Sequence, residues 1–505
     1  MNFGIVVKVL GSLLIIEAAG MSLSLLVSIY FRQHDWLPFL ISILLTALTG
    51  LAMLFFTTTT KRAIRKRTRD TIEGSVRNST GKKETIKTKE GLTIVTLGWI
   101  LVSLFGSLPF IISGSIPSFV DAFFETVSGF TTTGATLIKD IEVLPYGILF
   151  WRSFTHWIGG MGILVFTVAV LPALGVGSFQ IFKAESPGPI ADRIVPRIRD
   201  TAKILYITYI FMTFVEVILL VIGGMSVYES FVHTFGTVGT GGFSTRNLSI
   251  GAFNSTYINI VIAVFMVLSS TNFSLYYMLY KGRWKEALKD QELRLFLGVI
   301  GVSVILIAIN ITGKFYTNIW KSLEHSFFQV SSIISTTGYA TADFDQWPSF
   351  SKAILFMLMF IGGCAGSTGG GMTSARVLVM LKLIKREMQK VFHPRAVIPL
   401  KLVEKTLSTD IIHSISSFFV LYIVIFVVGT IALSLEGISL TSASSAVAAT
   451  LGNVGPGFEV VGPVRNYSQF SIPGKLLMSA LMLVGRLELF TVIALFNKRL
   501  WRDEI

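Results

Sequence analysis

The chain has 505 residues, of which 52% are hydrophobic and only 14% are charged, whereas a soluble globular protein carries about 25% charged residues. The formal net charge of +14 would suit a nucleic-acid-binding protein, but the Lys and Arg residues cluster between alternate apolar segments, as in cytoplasmic loops of membrane proteins. The composition therefore excludes a soluble domain, and the charge pattern indicates membrane topology without nucleic acid as a partner. The single cysteine, Cys364, excludes a disulfide within the chain.

The first two apolar stretches predict a transmembrane hairpin over residues 1–60, made of the helices Gly4–Tyr30 and Leu37–Phe56. The first stretch has no small-residue cleavage site and is soon followed by another span. We therefore expect it to be retained as a helix rather than removed as a signal peptide. Residues 61–90 are rich in Lys and Arg and predict a basic cytoplasmic loop.

Four units follow, and each is predicted to contain an apolar helix, a short amphipathic helix, a loop rich in Thr and Gly, and a second apolar helix. The units occupy residues 91–180, 181–282, 283–400 and 401–505. The first helices are predicted at Leu92–Ser113, Thr201–Gly224, Leu293–Ile311 and Ile411–Leu435, the short helices at Phe119–Ser128, Val227–Thr237, Trp320–Ile334 and Ser442–Thr450, and the second helices at Gly147–Leu171, Tyr257–Tyr280, Phe350–Leu383 and Ile472–Phe496. Each unit begins and ends on the basic side, so both chain termini are predicted to be cytoplasmic.

The four loops share one register, with a looser fourth copy. The equivalent glycines are Gly134, Gly242, Gly338 and Gly455, which lie 108, 96 and 117 residues apart. The residues before them are Thr132 and Thr133, Thr240 and Gly241, Thr336 and Thr337, and Asn453 and Val454. Nine positions before the glycine stand Glu125, His233 and Gln329, and the fourth copy departs with Ala446.

The short helices are too short to cross a bilayer, which requires about 20 residues. Irregular backbone at membrane depth is tolerated only where protein buries it or where it lines a water-filled cavity. The pattern therefore predicts an all-α integral membrane protein with four helix–pore helix–helix repeats around a pseudo-fourfold central pore. Ring-forming carbonyls would replace the hydration shell of a monovalent cation. The alternative for these loops is small-residue helix packing or simple turns.

A glycine-rich segment, Gly362–Gly371, interrupts the second helix of the third unit, and its glycines include Gly363, Gly366, Gly369, Gly370 and Gly371. It is predicted to be a flexible plug beneath the loops, and the alternative is a kink in the helix. The segment fits the spacing of a phosphate-binding loop, but Met372 stands where that motif needs lysine, so we expect no nucleotide site.

Arg486 lies deep in an apolar run, where a charge is costly and faces a cavity or a partner. The two interpretations are a fixed positive charge that opposes cation passage and a structural salt bridge, with Glu488 nearby in sequence.

Five acidic residues that follow the loops are expected to ring an outer mouth and concentrate cations: Asp140, Glu142, Asp343, Asp345 and Glu459. The six histidines show no metal-ligand spacing, and no nucleophile–base motif is evident. We therefore expect no enzyme activity and no bound cofactor or other metal site.

Four blocks of sequence together resemble the Trk/Ktr/HKT superfamily of potassium transporters. They are Phe124–Ala135, Trp157–Gly162, the glycine-rich segment and Val484–Glu488. The resemblance covers nearly the whole chain, and the extra N-terminal hairpin is similar to the bacterial TrkH type. It implies uptake of potassium ions across a bacterial inner membrane by a multi-pass homodimer, with a cytosolic TrkA-like regulatory subunit that has nucleotide-binding domains.

The resemblance also implies roles for individual residues. Ion coordination would fall to Thr132–Gly134, Thr240–Gly242, Thr336–Gly338 and Asn453–Gly455. Gating would fall to Gly363–Gly371 and Arg486, and glycine at all four register positions implies a preference for potassium. Asn453, Val454 and Pro456 depart from the family pattern and put the geometry of the fourth loop in doubt.

Two other classes of function remain open on the residues alone. One is a secondary transporter that binds a small solute at broken helices, and the other is a subunit of an ATP-driven pump. Downhill rubidium flux through vesicles that contain only this protein would separate a channel-like pore from both.

Overall fold

The computed structural model describes residues 1–71, 88–162, 198–396, 398–402 and 405–495. Six of the described helices are long and apolar enough to cross a membrane, and a bent pair brings the total to seven. The prediction of an all-α integral membrane protein is confirmed. The strands described are two-residue segments, β1 (Lys401–Leu402) and β2 (Lys405–Thr406), which pair antiparallel.

The α-helices of the described ranges run from the N-terminal hairpin to the end of the fourth unit. In chain order they are α1 (Phe3–Tyr30), α2 (Trp36–Thr71), α3 (Thr88–Gly106), α4 (Leu108–Ile112), α5 (Phe119–Phe130), α6 (Tyr146–Gly160), α7 (Ile198–Ile222), α8 (Val227–Val238), α9 (Thr256–Ser269), α10 (Phe273–Tyr280), α11 (Trp284–Leu288), α12 (Gln291–Ile311), α13 (Ile319–Ile334), α14 (Ser349–Ile361), α15 (Ser374–Phe392), α16 (Thr409–Ser434), α17 (Leu440–Leu451), α18 (Ile472–Arg486) and α19 (Leu489–Ala494).

The N-terminal hairpin crosses at a pair of glycines. A Cβ added at Gly11 would lie 2.8 Å from the carbonyl oxygen of Gly50, and one at Gly50 would lie 2.8 Å from that of Gly11. Met21 of α1 is buried in one apolar cluster with Trp99 of α3 and Trp151 of α6, so the hairpin packs against the first unit. The backbones of α1 and α2 therefore approach closely where side chains are absent.

Helix α2 does not end at Phe56 as predicted but continues to Thr71, so part of the predicted basic loop is helical. The extension contains no Gly or Pro, and its Lys and Arg residues favour helix. Residues 72–87, which hold the remainder of that predicted loop, lie outside the described residues, as do residues 163–197 and 496–505, which hold the predicted ends at Leu171 and Phe496.

The first helix of the first unit is broken, although a single helix was predicted. It divides into α3 and α4 at Ser107, just before Pro109. Proline has no amide hydrogen to donate and clashes with the preceding turn. Phe110 N donates to Ser107 instead of Gly106, at 3.1 Å, and the freed Gly106 carbonyl accepts from Trp151 Nε1 at 2.9 Å.

Each short helix begins at a side chain that accepts a hydrogen bond from its first turn. These N-caps are Ser118, Ser226, Asn318 and Ser439, and the helices that follow are α5, α8, α13 and α17. Such caps satisfy amides that a helix cannot pair internally. Because the four helices start in the same way and then lead into the Thr/Gly loops, they act as equivalent supports.

The second helix of every unit stops at a similar depth, whereas a break was predicted only in the third. Helices α6, α9, α14 and α18 have 15, 14, 13 and 15 residues, or roughly 20–22 Å at 1.5 Å per residue. In the second unit α9 and α10 meet at 93°. The prediction of single helices in the first, second and fourth units is therefore wrong. Asn272 caps α10 there, and Glu488 adopts φ 63° before α19.

Replacing Gly11 with leucine is expected to destabilise the hairpin, because the new side chain meets the backbone of α2 and overpacking costs about 1–3 kcal/mol. Gly298→Leu on α12 is the matched control, since a Cβ there meets nothing within 4 Å. The midpoint of thermal unfolding in detergent should fall for the first variant and stay near the unmodified value for the second. Equal midpoints would contradict the glycine crossing.

Candidate functional site

The four Thr/Gly loops repeat one backbone conformation. The residue two positions before each register glycine has a positive φ, and the values are 55° for Thr132, 56° for Thr240, 60° for Thr336 and 55° for Asn453. The register glycines follow at 79°, 76°, 82° and 100° for Gly134, Gly242, Gly338 and Gly455. The residue between them is not left-handed in any copy. A β-branched threonine in this region is strained, and such strain persists only where the surroundings enforce it.

The register glycines close the four loops into a ring. A Cβ added at Gly134 would overlap the carbonyl oxygen of Gly241 in the second loop. A Cβ added at Gly242 would overlap Thr337 O, one at Gly338 would overlap Val454 O, and one at Gly455 would overlap Thr133 O. Each glycine therefore abuts the carbonyl of the preceding register position in the next loop, and the fourth loop returns to the first. The structure thus brings eight of the twelve predicted loop residues, the register glycines and the residues just before them, into contact around one ring, and the other four directly precede these in the chain.

In three units, the polar side chain nine positions before the register glycine hydrogen-bonds to the segment that follows the loop. Glu125 accepts from Thr136 Oγ1 and Leu137 N at 2.9 Å each, and His233 Nε2 lies 2.9 Å from Ser244 Oγ. Gln329 Nε2 donates to Thr341 Oγ1 at 3.3 Å. In the fourth unit Ala446 has no such group, and the preceding Ser445 Oγ accepts from Phe458 N at 3.0 Å instead. The recurrence of polar residues at this register position was the sequence signal for these supports.

Other contacts tie neighbouring loops together, and sequence reasoning missed the residues that make them. Arg152, 2% exposed, donates to Glu125 at 2.7 Å and to Ser244 O at 3.1 Å, which joins the first loop to the second. Tyr339 Oη donates to Phe243 O at 3.0 Å and joins the third to the second. Tyr467 Oη donates to Gly455 O at 2.6 Å, and its amide donates to Thr136 O at 2.8 Å, which joins the fourth to the first.

His156 also connects the first two units. Its Nδ1 lies 2.8 Å from Gly129 O at the end of α5, and its Nε2 accepts from Phe243 N at 3.3 Å. A side chain at Gly241 would overlap the imidazole. An isolated histidine in an apolar helix carries no repeat signal, so this role was not predicted.

A cavity of about 110 Å³ opens outside the ring and reaches all four register glycines. Its charged lining side chains are Lys139, Arg152, Arg246 and Arg465. Among the described residues, none of the five acids predicted for the outer mouth belongs to this lining, so the cavity does not support that prediction. Two of these acids accept hydrogen bonds from residues of neighbouring units. Asp140 accepts from Asn247 Nδ2 at 2.9 Å, and Asp345 accepts from Glu459 N at 3.0 Å.

The glycine-rich segment lies directly against the ring. Gly370 N donates to Thr336 Oγ1 at 2.7 Å, and Thr240 Oγ1 donates to Thr368 O at 2.9 Å. A Cβ at Gly369 would lie 3.2 Å from Ser335 O, and one at Gly370 would lie 2.8 Å from Gly452 O. The segment therefore contacts the second, third and fourth units at the first residues of their loops or at the residues just before them.

The lower part of the segment is held by the break in the second unit. Cys364 N donates to Ser270 O at 2.8 Å, and Phe273 N donates to Gly366 O at 3.0 Å. The turns at both ends use left-handed glycines, Gly362 at 72° and Gly371 at 79°, and Ser374 N donates back to Gly363 O at 2.8 Å. The segment is thus a closed loop that packs against the break between α9 and α10.

Arg486 is bonded to backbone carbonyls from two other units. Its guanidinium donates to Thr368 O at 2.8 Å in the glycine-rich segment, and to Gly159 O at 2.7 Å and Gly160 O at 3.2 Å where α6 ends. Glu488 forms its ion pair with Arg376 of α15. The structure therefore brings the predicted arginine and the glycine-rich segment together.

Two buried oxygens at the ring have no hydrogen-bond partner within the described part of the chain. They are Thr132 Oγ1 and Asn453 Oδ1, at the same register position in the first and fourth loops. The other two side chains at that position bond to the glycine-rich segment. In the described ranges no group of three or more His, Cys, Asp or Glu residues is placed to hold a metal ion.

A family model described as TrkH, cation transport protein, matches residues 71–505. The chain is similar to the Trk system potassium uptake protein TrkH of Salmonella typhimurium, with 41% identity over 84% of this chain and 88% of that one. It is 36% identical to the protein of that name from Vibrio parahaemolyticus over the whole of both chains. The crystal structure of the potassium transporter TrkH from Vibrio parahaemolyticus matches with a TM-score of 0.85 at 34% identity, over 99% of this chain and 100% of that one. These matches confirm the resemblance, and the chain belongs to the TrkH family of cation transport proteins.

Proposed function

We propose that this chain conducts potassium ions into the cell through the ring of four loops. The observation that carries the proposal is the closed ring itself, in which each register glycine abuts a carbonyl of the next loop. Relatives that cover most of the chain are named potassium uptake proteins, and their family transports cations rather than catalysing a reaction. Potassium is then the transported ion, and the chain itself binds no cofactor.

The backbone of the loops suits a dehydrated monovalent cation. In each loop two left-handed residues flank one that is not left-handed, and the register glycines permit backbone angles that can turn carbonyls toward a pore axis. Carbonyl and hydroxyl oxygens carry partial negative charge without full ionisation, so they replace water around a monovalent ion and still release it. The unpartnered oxygens of Thr132 and Asn453 are further ligands of this kind.

The glycine-rich segment and Arg486 form the proposed gate. The segment occupies the space beneath the ring and is bonded to Thr240 and Thr336, so it obstructs the path by volume. The guanidinium bonded to Thr368 adds a positive charge at the same depth, which opposes a cation strongly in a low-dielectric wall. Opening would require that these bonds break together.

The remaining parts of the proposal concern assembly and orientation. We place the protein in the bacterial inner membrane with both termini in the cytoplasm, because the basic clusters lie between alternate spans. The functional unit is a homodimer with one pore in each protomer. A cytosolic TrkA-like subunit with nucleotide-binding domains docks on the basic face, of which α15 and the residues after it are part.

Replacing Gly134 with serine should lower the preference for potassium over sodium, because the added Cβ overlaps Gly241 O and distorts the ring. Gly114→Ser is the matched control. Gly114 has a similar φ of 73°, but a Cβ there meets nothing within 4 Å, so backbone strain is shared and crowding is not. The measurement is uptake of rubidium and sodium by sealed vesicles that contain only this protein. Equal sodium and potassium permeability in the unmodified protein would refute the proposed filter.

Replacing Arg486 with alanine, or deleting Gly366–Gly371, should raise basal rubidium flux because each change removes part of the obstruction. Arg283→Ala is the control, since Arg283 is an exposed residue that pairs with Glu286 in α11. Expression and flux are measured on the same preparations. Normal expression with unchanged or lower flux for both test variants would rule out the gate.

A soluble nucleotide-binding subunit should co-purify when the protein is extracted from its native membrane under mild conditions. The expected contact is electrostatic in part, so the yield of the partner should fall as ionic strength rises. Recovery of no such subunit, together with flux that does not respond to cytosolic nucleotides, would remove this part of the proposal.

A further inference from the structure

Two ionisable side chains outside the glycine-rich segment hydrogen-bond to its backbone. Arg486 donates to the carbonyl of Thr368, and the carboxylate of Glu292 accepts from the amide of Ala365 at 2.6 Å. Glu292 lies in the first turn of α12, the helix that opens the third unit, and is 9% exposed. It belongs neither to the ring nor to the set of residues predicted to gate it. Its role is therefore open.

The same carboxylate also serves the helix that follows the segment. Helix α15 begins after Thr373, whose φ is 68° and whose side chain makes no capping bond. The amide of Ala375 in the first turn of α15 contributes to stabilising the ionised Glu292 carboxylate. A carboxylate at a helix N-terminus satisfies unpaired amides and complements the helix dipole. Glu292 thus acts on the chain at two places, at Ala365 within the segment and at Ala375 in the helix that follows it.

We propose that Glu292 is a latch that fixes the glycine-rich segment against α12, the first helix of the third unit, and that release of this contact frees the segment. The proposal deepens the gate described above and rests on it for its effect on flux. Glu292 is a positioning residue, since it acts through the backbone of the segment rather than on the ion. Six of the ten residues of the segment are glycine, so a neighbouring side chain can hold it mainly through its backbone.

The geometry explains why a carboxylate stands there. The amide of Ala365 occupies one oxygen of the carboxylate and leaves the second oxygen for the first turn of α15, whereas an alcohol or an amide side chain has one acceptor oxygen. Asp290, two residues earlier, accepts from Leu293 N at 2.8 Å and caps α12, which leaves Glu292 for the neighbouring segment. The Glu292 carboxylate therefore joins the first helix of the third unit to the glycine-rich segment of the same unit, rather than capping its own helix.

The test uses the native cysteine of the segment. Cys364 is the single cysteine of the chain and is 2% exposed, so its reaction with N-ethylmaleimide reports whether the segment has moved. Purified protein is labelled over a range of pH and followed by intact mass. The plateau rate at high pH is compared, because it reports access to the thiol rather than its ionisation.

Three variants are compared with the unmodified protein. Glu292→Ala removes the carboxylate, Glu292→Asp keeps the charge but withdraws the oxygens by one methylene, and Glu286→Gln is the control at an exposed site in the adjacent helix. The plateau labelling rate should rise about tenfold or more for the first two, as expected for a lost hydrogen bond to a charged acceptor. It should not change for Glu286→Gln. If Glu292→Ala does not fold, Glu292→Gln keeps the size of the side chain and takes its place.

Rubidium flux measured on the same samples separates the latch from the gate. Faster labelling with higher flux supports both. Faster labelling with unchanged flux supports the latch and refutes the gate. Unchanged labelling in folded Glu292 variants overturns the latch, whether or not flux changes.

Discussion

The structure depends on the close approach between each register glycine and a carbonyl of the next loop. A side chain at any of the four positions would overlap that carbonyl or force the loops apart. Glycine therefore serves here both for its left-handed backbone and for its missing Cβ. Because the contacts run from the first loop through the fourth and back, a shift in one loop displaces its neighbours. The ring behaves as a single mechanical unit.

Buried polar side chains next to the ring support it, and their hydrogen-bond partners come from several units. The Glu125 carboxylate accepts from Arg152, Thr136 and Leu137, and the Arg152 guanidinium lies 3.6 Å from the centre of the Phe243 ring. A buried ion pair is costly to desolvate, and loss of one partner costs about 3–5 kcal/mol. Such a pair is a poor source of net stability but a strong constraint on geometry. It fixes the exit of the first loop relative to the second.

The sequence was sufficient to predict the hairpin, the short helices and the common register of the loops, because glycine spacing and apolar length are local signals. It did not reveal the breaks in the second and fourth units, since Ser270 to Asn272 and Leu487 to Glu488 contain neither glycine nor proline. The sequence also did not reveal the hydrogen-bond partners of the acids that follow the loops. Position in sequence shows that Asp140 follows a loop, but not that Asn247 captures its carboxylate. The partners of Arg486 are more than 100 residues away and leave no local trace.

The four loops belong to one polypeptide, so each wall of the ring is encoded separately. The fourth loop differs from the other three. Asn453 adopts nearly the same φ as the threonines, but the φ of Gly455 is 100° and Pro456 lies close to Gly338. In an assembly of four identical subunits, any such change would appear on every side at once. Here a substitution alters one quarter of the circumference and leaves three quarters intact. The walls can therefore diverge by single steps, with one side specialised for contact with the segment beneath and another for the ion.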